Sequence, residues 1–191
     1  SLSHSVCPET NTAPKVLAEI SSVLGSGTGP TDKLTYETAG QLTYCAAVIN
    51  EATRLYPPAP LTVRSLEKPL ELEGKTLPAG TMCYVPIWWV HRSVMNWGED
   101  AESFRPERHL EEEGGEAAKS ASSFRHVAFS GGQRNCVGQR FAVLESVVLF
   151  ALVVRSVRLT LAPGSEEVAV VSTGVVQKPK NGELWMNVAA R

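Results

Sequence analysis

The chain is predicted to be mainly α with small β-sheets, an α+β protein, on three observations. Apolar residues recur at helical spacing from Ala13 to Leu24 and form a long apolar run after Gln139, while short β-branched runs bounded by turn residues follow Pro60 and Arg155. Hydrophobic residues make up 43% of 191, the ordinary content of a packed globular protein. The balance of 18 Lys+Arg against 20 Asp+Glu, with the signs mixed, points to no nucleic acid and to no electrostatic adhesion to anionic membrane.

The first helix is set by Val16, Leu17, Ile20, Val23 and Leu24 on one face, and Gly25 to Pro30 ends it as a loop. A helical turn from Thr35 to Leu42 leads into a helix that opens at Thr43, whose hydroxyl can cap it, and that Pro57-Pro58 stops. Beyond Pro60 the pattern changes to strands: Leu61 to Leu66, a hairpin about Gly74 between Leu70 and Leu77, and Thr81 to Ile87. Trp88-Trp-Val-His-Arg92 is aromatic-rich, which helix packing explains as well as a ligand contact does, and His91 reads as no metal ligand. Glu111 to Glu116 reads as a solvated loop. The segment Val147 to Val154 is too short to cross a bilayer and reads as a buried helix. Strands at Val157–Leu161 and Leu184–Val188, with turns at Ser172–Gly174 and Lys180–Gly182, close the chain. No signal peptide is visible, and no repeat or linker divides the sequence, so it reads as one domain.

Glu51 and Arg54 stand at i and i+3 on the third helix, with the carboxylate on the favourable N-terminal side. The same spacing recurs at Glu102 and Arg105, and a solvated surface pair is its ordinary meaning. Context separates the two, because Glu51 and Arg54 follow the apolar run Tyr44 to Ile49 and precede the proline stop. That places them at a partly buried helix end, where an ion pair persists only if its other donors and acceptors are satisfied.

Most of the chemical information lies in Phe129-Ser-Gly-Gly-Gln-Arg-Asn-Cys-Val-Gly138. Cys136 sits just before a helix N-terminus, where the macrodipole and free N–H groups favour negative charge on the sulfur. Gly131, Gly132 and Gly138 permit positive φ and close backbone approach, Arg134 offers a permanent cationic fork, and Phe129 can shield the sulfur from water. An inert core thiol is the commoner fate of a lone cysteine. Five fixed positions (Phe129, Gly132, Arg134, Cys136, Gly138) outweigh that default, since they coincide by chance in roughly one chain in ten thousand at average composition. Zinc competes weakly, because Cys7, Cys45, Cys83 and Cys136 are far apart and without ligand spacing. The same spacing argues for a reducing compartment.

These residues resemble the signature of the cytochrome P-450 family, F-x-x-G-x-R-x-C-x-G with an alanine four residues on, here Ala142. Glu51-Ala-Thr-Arg54 and Phe104-Arg-Pro-Glu-Arg108 resemble the family's E-x-x-R and F-x-P-E-R segments, in the same order. The resemblance implies haem b (iron protoporphyrin IX) with Cys136 as catalytic residue and axial iron ligand. Phe129, Gly132, Arg134, Gly138, Ala142 and Arg64 would contact the cofactor, and Glu51, Arg54 and Arg108 would form a structural triad. Ala59 to Val63 and Thr173 to Val175 would border an apolar substrate pocket. Two departures stand out: Thr43 replaces a common proline, and His109 replaces an aromatic residue after P-E-R, where it reads as a surface or capping histidine.

The implied activity is that of a monooxygenase inserting one atom of O2 into a hydrophobic small molecule, fed with electrons from NADPH through a reductase. Alternatives are a haem-thiolate isomerase or dehydratase working without reductase, or a non-catalytic haem-binding fragment. Family members are much longer, so residues 1–191 are expected to be the C-terminal portion of an incomplete domain, with the oxygen-activating helix upstream of Ser1. The parent is expected to be anchored at the endoplasmic reticulum and to face the cytoplasm.

Overall fold

The computed structural model describes residues 12–27, 33–110, 124–163, 170–173, 176–180 and 183–191. Three helices carry the hydrophobic core: α1 (Thr12–Leu24), α3 (Thr43–Leu55) and α6 (Gln139–Ser156), with α2 (Tyr36–Ala39) as a short turn between the first two. Val16, Ile20 and Leu24 form one stripe of α1 and pack with Leu42, with Tyr44, Cys45 and Val48 of α3, and with Val147 and Ala151 of α6. Each fully buried aliphatic side chain in such a seam contributes about 1.5–3 kcal/mol by leaving water.

The start of α3 differs from the sequence expectation. Thr43 lies inside the first turn, Leu42 occupies the N-cap, and no side-chain cap bond forms there. The cap comes from another helix: the Glu19 carboxylate of α1 accepts the amides of Tyr44 at 2.7 Å and Cys45 at 2.8 Å, and the Thr43 hydroxyl at 3.2 Å. A carboxylate with two oxygens satisfies two orphan amides at once and also complements the helix dipole. The far end of α3 follows the proline argument, with Tyr56 N–H closing on Ala52 O at 2.8 Å just before Pro57.

Four two-stranded antiparallel sheets surround these helices among the described residues. β1 (Thr62–Ser65) pairs with β4 (Met82–Val85), setting Arg64 opposite Cys83. β2 (Leu70–Leu72) pairs with β3 (Lys75–Leu77) across Glu73 and Gly74, both at positive φ, the two-residue hairpin turn that glycine makes possible. The strand expected to run to Ile87 ends at Val85, because Pro86 starts α4 (Ile87–Val90), which α5 (Val94–Trp97) follows. β5 (Val157–Leu161) pairs with β8 (Met186–Ala190), shifted two residues from the expected Leu184–Val188, and β6 (Val170–Thr173) pairs with β7 (Val176–Pro179). The expected loop at Glu111–Glu116, Gly174 and Val175 of the expected pocket turn, and Asn181 and Gly182 of the last turn lie outside the described residues.

The apolar run of α6 is not buried all round. Val147, Ala151 and Arg155 face the core, whereas Leu149 and Val153 on the opposite side of the helix are exposed, as is Phe141 in its first turn. No helix of the described residues is long and apolar enough to cross a membrane.

Candidate functional site

Glu51 and Arg54 are completely buried, and helical spacing brings them together as the sequence suggested. Arg54 uses every donor: Nε and Nη2 reach the two Glu51 oxygens at 2.7 and 2.8 Å, Nη1 reaches His91 O and Ala101 O, and Nη2 also reaches Ser103 O. Arg108, on a 3-10 turn at Pro106–His109, joins through Nε to Glu51 Oε1 at 3.0 Å. The second E-x-x-R spacing forms no such unit, since Glu102 pairs with Arg92 at 3.0 Å and its side chain is half exposed.

The network is larger than the triad. Asp100 holds Arg108 Nη2 at 3.0 Å, the Arg105 amide donates to Glu51 Oε1 at 2.8 Å, and His109 Nε2 donates to Glu51 Oε2 at 2.9 Å. His109 is therefore neither a surface nor a capping residue: the turn that places Arg108 also points the next side chain at the same carboxylate. Burial alone would push the Glu51 carboxyl up, but the hydrogen bonds from Arg54, His109 and the Arg105 amide outweigh it and hold the group far below the usual carboxylate range. Glu107, in the same turn, ties it to the helices by accepting Lys15 at 2.6 Å and the Tyr44 hydroxyl at 2.8 Å.

A fully buried His91 connects this network to the cysteine loop. Its Nδ1 lies 3.0 Å from Arg54 O, and its Nε2 accepts the Val127 amide at 2.8 Å. An amide can only donate, so Nε2 is unprotonated and Nδ1 carries the hydrogen. Burial pushes the imidazole down to about 4, against the hydrogen bond to the Arg54 carbonyl and with help from the Arg54 and Arg92 charges. His126 packs 5.1 Å from His91 and 5.5 Å from His109, centroid to centroid, and burial with the neighbouring imidazoles pushes it down to about 3. Trp97 closes the cluster edge-on to His91 and His126, with the Arg54 and Arg125 guanidiniums 4.9 and 4.7 Å from its ring centre.

From Val127 the chain turns into the loop. Ser130 N–H closes on Val127 O at 2.9 Å, Cys136 N–H on Phe129 O at 2.8 Å, and Gln139 N–H on Cys136 O at 3.2 Å, where α6 begins. The Ala142 amide closes the first turn of α6 on Gly138 O at 2.8 Å. The glycines divide the expected roles. Only Gly132 has positive φ, at 74°, and the other left-handed residue is Ser130 at 65°. Gly131 is extended, and a Cβ there would meet the Phe124 ring at 3.3 Å; a Cβ on Gly138 would make only an ordinary 3.9 Å contact with the Cys136 sulfur. Arg64 reaches the loop from β1, with Nη2 3.2 Å from Ser130 Oγ and 3.4 Å from Arg134 O. Phe129 is half-buried and Arg134 exposed. Gln177 N–H donates to Pro58 O at 2.8 Å, bringing β7 beside the segment that enters Ala59–Val63.

Cys136, Val137 and Phe141 are all exposed, with two arginines on the same loop and its neighbouring strand. An accessible sulfur among apolar side chains, with guanidiniums within the same loop, suits a flat apolar macrocycle bearing carboxylates, so these residues fit a haem. A loop of this kind would suit the class of proteins that bind haem through a thiolate. The chain belongs to the cytochrome P450 family, whose model matches residues 9–186. It is 40% identical to the probable cytochrome P450 4d20 of Drosophila melanogaster, over 74% of this chain and 26% of that protein. It is 37% identical to the taurochenodeoxycholic 6 alpha-hydroxylase of Sus scrofa (86% of this chain, 30% of the relative) and 35% identical to a cytokinin hydroxylase of Arabidopsis thaliana (88% and 30%). The chain thus spans less than a third of the length of these relatives.

Proposed function

We propose that this chain is the C-terminal, cysteine-bearing portion of a haem-thiolate monooxygenase acting on a hydrophobic small molecule. The observation that carries the reading is the exposed Cys136 on a hydrogen-bonded loop at the N-terminus of an 18-residue helix, with Arg64 and Arg134 beside it. Cys136 would hold the haem iron through its sulfur, and Arg64 and Arg134 would bind the propionates. Phe129, Gly132, Gly138 and Ala142 would shape the loop against the macrocycle. The bound haem would supply O2 activation, for which a thiolate's electron donation favours O–O cleavage. The residues of this chain hold the sulfur in place, orient the cofactor through its carboxylates and line one side of an apolar pocket at Ala59–Val63.

Electrons would come from NADPH through a reductase, and the second oxygen atom of O2 would leave as water. The hydroxylase names of two relatives support an oxygen-inserting reaction and leave the substrate to be found by assay. The family resemblance supports an endoplasmic-reticulum location for the whole protein, facing the cytoplasm. The test is the spectrum of the whole protein reduced under carbon monoxide: it should show the strongly red-shifted Soret band of thiolate-ligated haem, and Cys136→Ala should abolish it. Persistence of that band without Cys136 rules the reading out.

A further inference from the structure

We propose that His91 is a positioning residue for the thiolate, carrying the placement of the Glu51–Arg54 helix end into the cysteine loop through the bond its Nε2 accepts from Val127. The inference rests on the haem-thiolate reading of Cys136 and adds to it the part that sets the height of the loop.

Three observations support it. His91 is clasped twice by one residue, because Arg54 Nη1 holds its carbonyl at 2.7 Å while its own Nδ1 holds the Arg54 carbonyl at 3.0 Å. The ring therefore cannot rotate without breaking a bond at the buried end of α3. Its other nitrogen takes the Val127 amide at 2.8 Å, and this is the first peptide of the turn whose Phe129 carbonyl receives the Cys136 amide at 2.8 Å. From the sulfur-bearing residue back to the buried carboxylate, hydrogen bonds join Cys136 to Phe129, Val127 to His91, His91 to Arg54 and Arg54 to Glu51, and two peptides of backbone link Phe129 to Val127. A histidine that only filled space would leave its two nitrogens without so specific a pair of partners. This one is required in a single tautomer by the donor it faces.

The two bonds can be separated chemically. The amide nitrogen of asparagine can take the place of Nδ1 but its side chain is too short to meet Val127, whereas the amide oxygen of glutamine reaches the place of Nε2 and can accept that amide. In the whole haem-loaded protein, His91→Gln should keep most of the thiolate Soret fraction in the reduced carbon monoxide spectrum. His91→Asn should fall about 2- to 10-fold below it at matched haem content and melting midpoint, the factor that one net hydrogen bond represents. Equal fractions in the two variants, whether both high or both low, overturn the proposal, since volume alone would then account for His91. A second measurement needs no variant: imidazole nitrogen NMR of the wild-type protein at neutral pH should show His91 hydrogenated at Nδ1 with Nε2 as acceptor, and the opposite tautomer overturns the proposal. Cys136→Ala separates the two levels. If it keeps the thiolate band, the underlying reading fails; if it loses the band while Gln and Asn at position 91 behave alike, only the role of His91 fails.

Discussion

Replacing Glu51 with alanine removes the acceptor for five hydrogen bonds of 2.7–3.0 Å, from Arg54 twice, Arg108, the Arg105 amide and His109. Two guanidiniums then remain in the interior, Arg54 fully buried and Arg108 nearly so, and the partly exposed Asp100 that still faces Arg108 is shared with Arg105. Removing one partner of a buried pair costs about 3–5 kcal/mol, because the surviving charge stays out of water. Against a total stability of about 5–15 kcal/mol, that is between about a fifth of the margin and all of it. The matched control is Glu102→Ala, whose half-exposed carboxylate faces Arg92 and should cost no more than about 1 kcal/mol. Urea denaturation of the whole protein followed by far-UV circular dichroism, with haem content measured alongside, compares the two. Equal midpoints and equal haem content in both variants would refute the claim that the Glu51 network is a buried, uncompensated charge cluster once opened.

Three further outcomes follow from the same structure. His91 is held neutral with its folded value near 4 while the unfolded side chain titrates near 6.5, so unfolding takes up a proton on acidification: stability is full above about pH 7 and falls as pH drops through the window from 6.5 to 4, by about 3 kcal/mol from His91 alone, measurable as a shift of the urea midpoint. His126→Phe should raise stability by about 1–3 kcal/mol and flatten that slope, because the buried His126 Nε2 has no hydrogen-bond partner among the described residues and the ring packs among aromatics; a lower midpoint for the variant contradicts this. Glu19→Ala should cost about 1–2 kcal/mol by leaving the Tyr44 and Cys45 amides uncapped, while Thr43→Ala should cost a few tenths, and the reverse order in thermal melts would restore Thr43 as the cap.

The elements that repeat a local period were legible in the sequence. The stripe Val16, Ile20, Leu24, the Glu51–Arg54 spacing, the proline stop and the hairpin at Gly74 each depend on residues a few positions apart, so local geometry determines them. What escaped reading depends on partners far along the chain. Glu19 caps α3 from 25 residues away, and His91 meets Val127 across 36. His109 looked like a surface residue because its immediate neighbours are polar, whereas its position one residue past Arg108 on a tight turn is what turns it inward. The departure from an aromatic residue there was the available signal. The long apolar run of α6 suggested burial on all sides, but composition does not distinguish a stripe from a cylinder, and the described residues cover only the Val147–Ala151 side.

Burial keeps His91 and His126 neutral, and the bonds that His91 shares with the buried ion cluster explain why damage at Glu51 should travel to the loop. Glu51 serves both Arg54 and Arg108, and Asp100 serves both Arg108 and Arg105, so neither carboxylate is left to balance a further proton under the loop. A proton on His91 would place a further cation beside Arg54 and Arg92 and would also turn Nε2 into a donor facing the Val127 amide, two donors across 2.8 Å. Acid therefore attacks the bond between network and loop before it reaches the carboxylate, which is held far below the usual range. Loss of Glu51 attacks the same bond from the other side: Arg54 loses its two anionic contacts, and the residue that grips both the carbonyl and the ring of His91 is free to shift. Mild acid and Glu51 substitution should then share a signature, a loss of thiolate-ligated haem that precedes loss of helix as urea is raised. Coincident loss of the two signals under both treatments would mean that the network and the loop unfold as one unit, with no weak joint at His91.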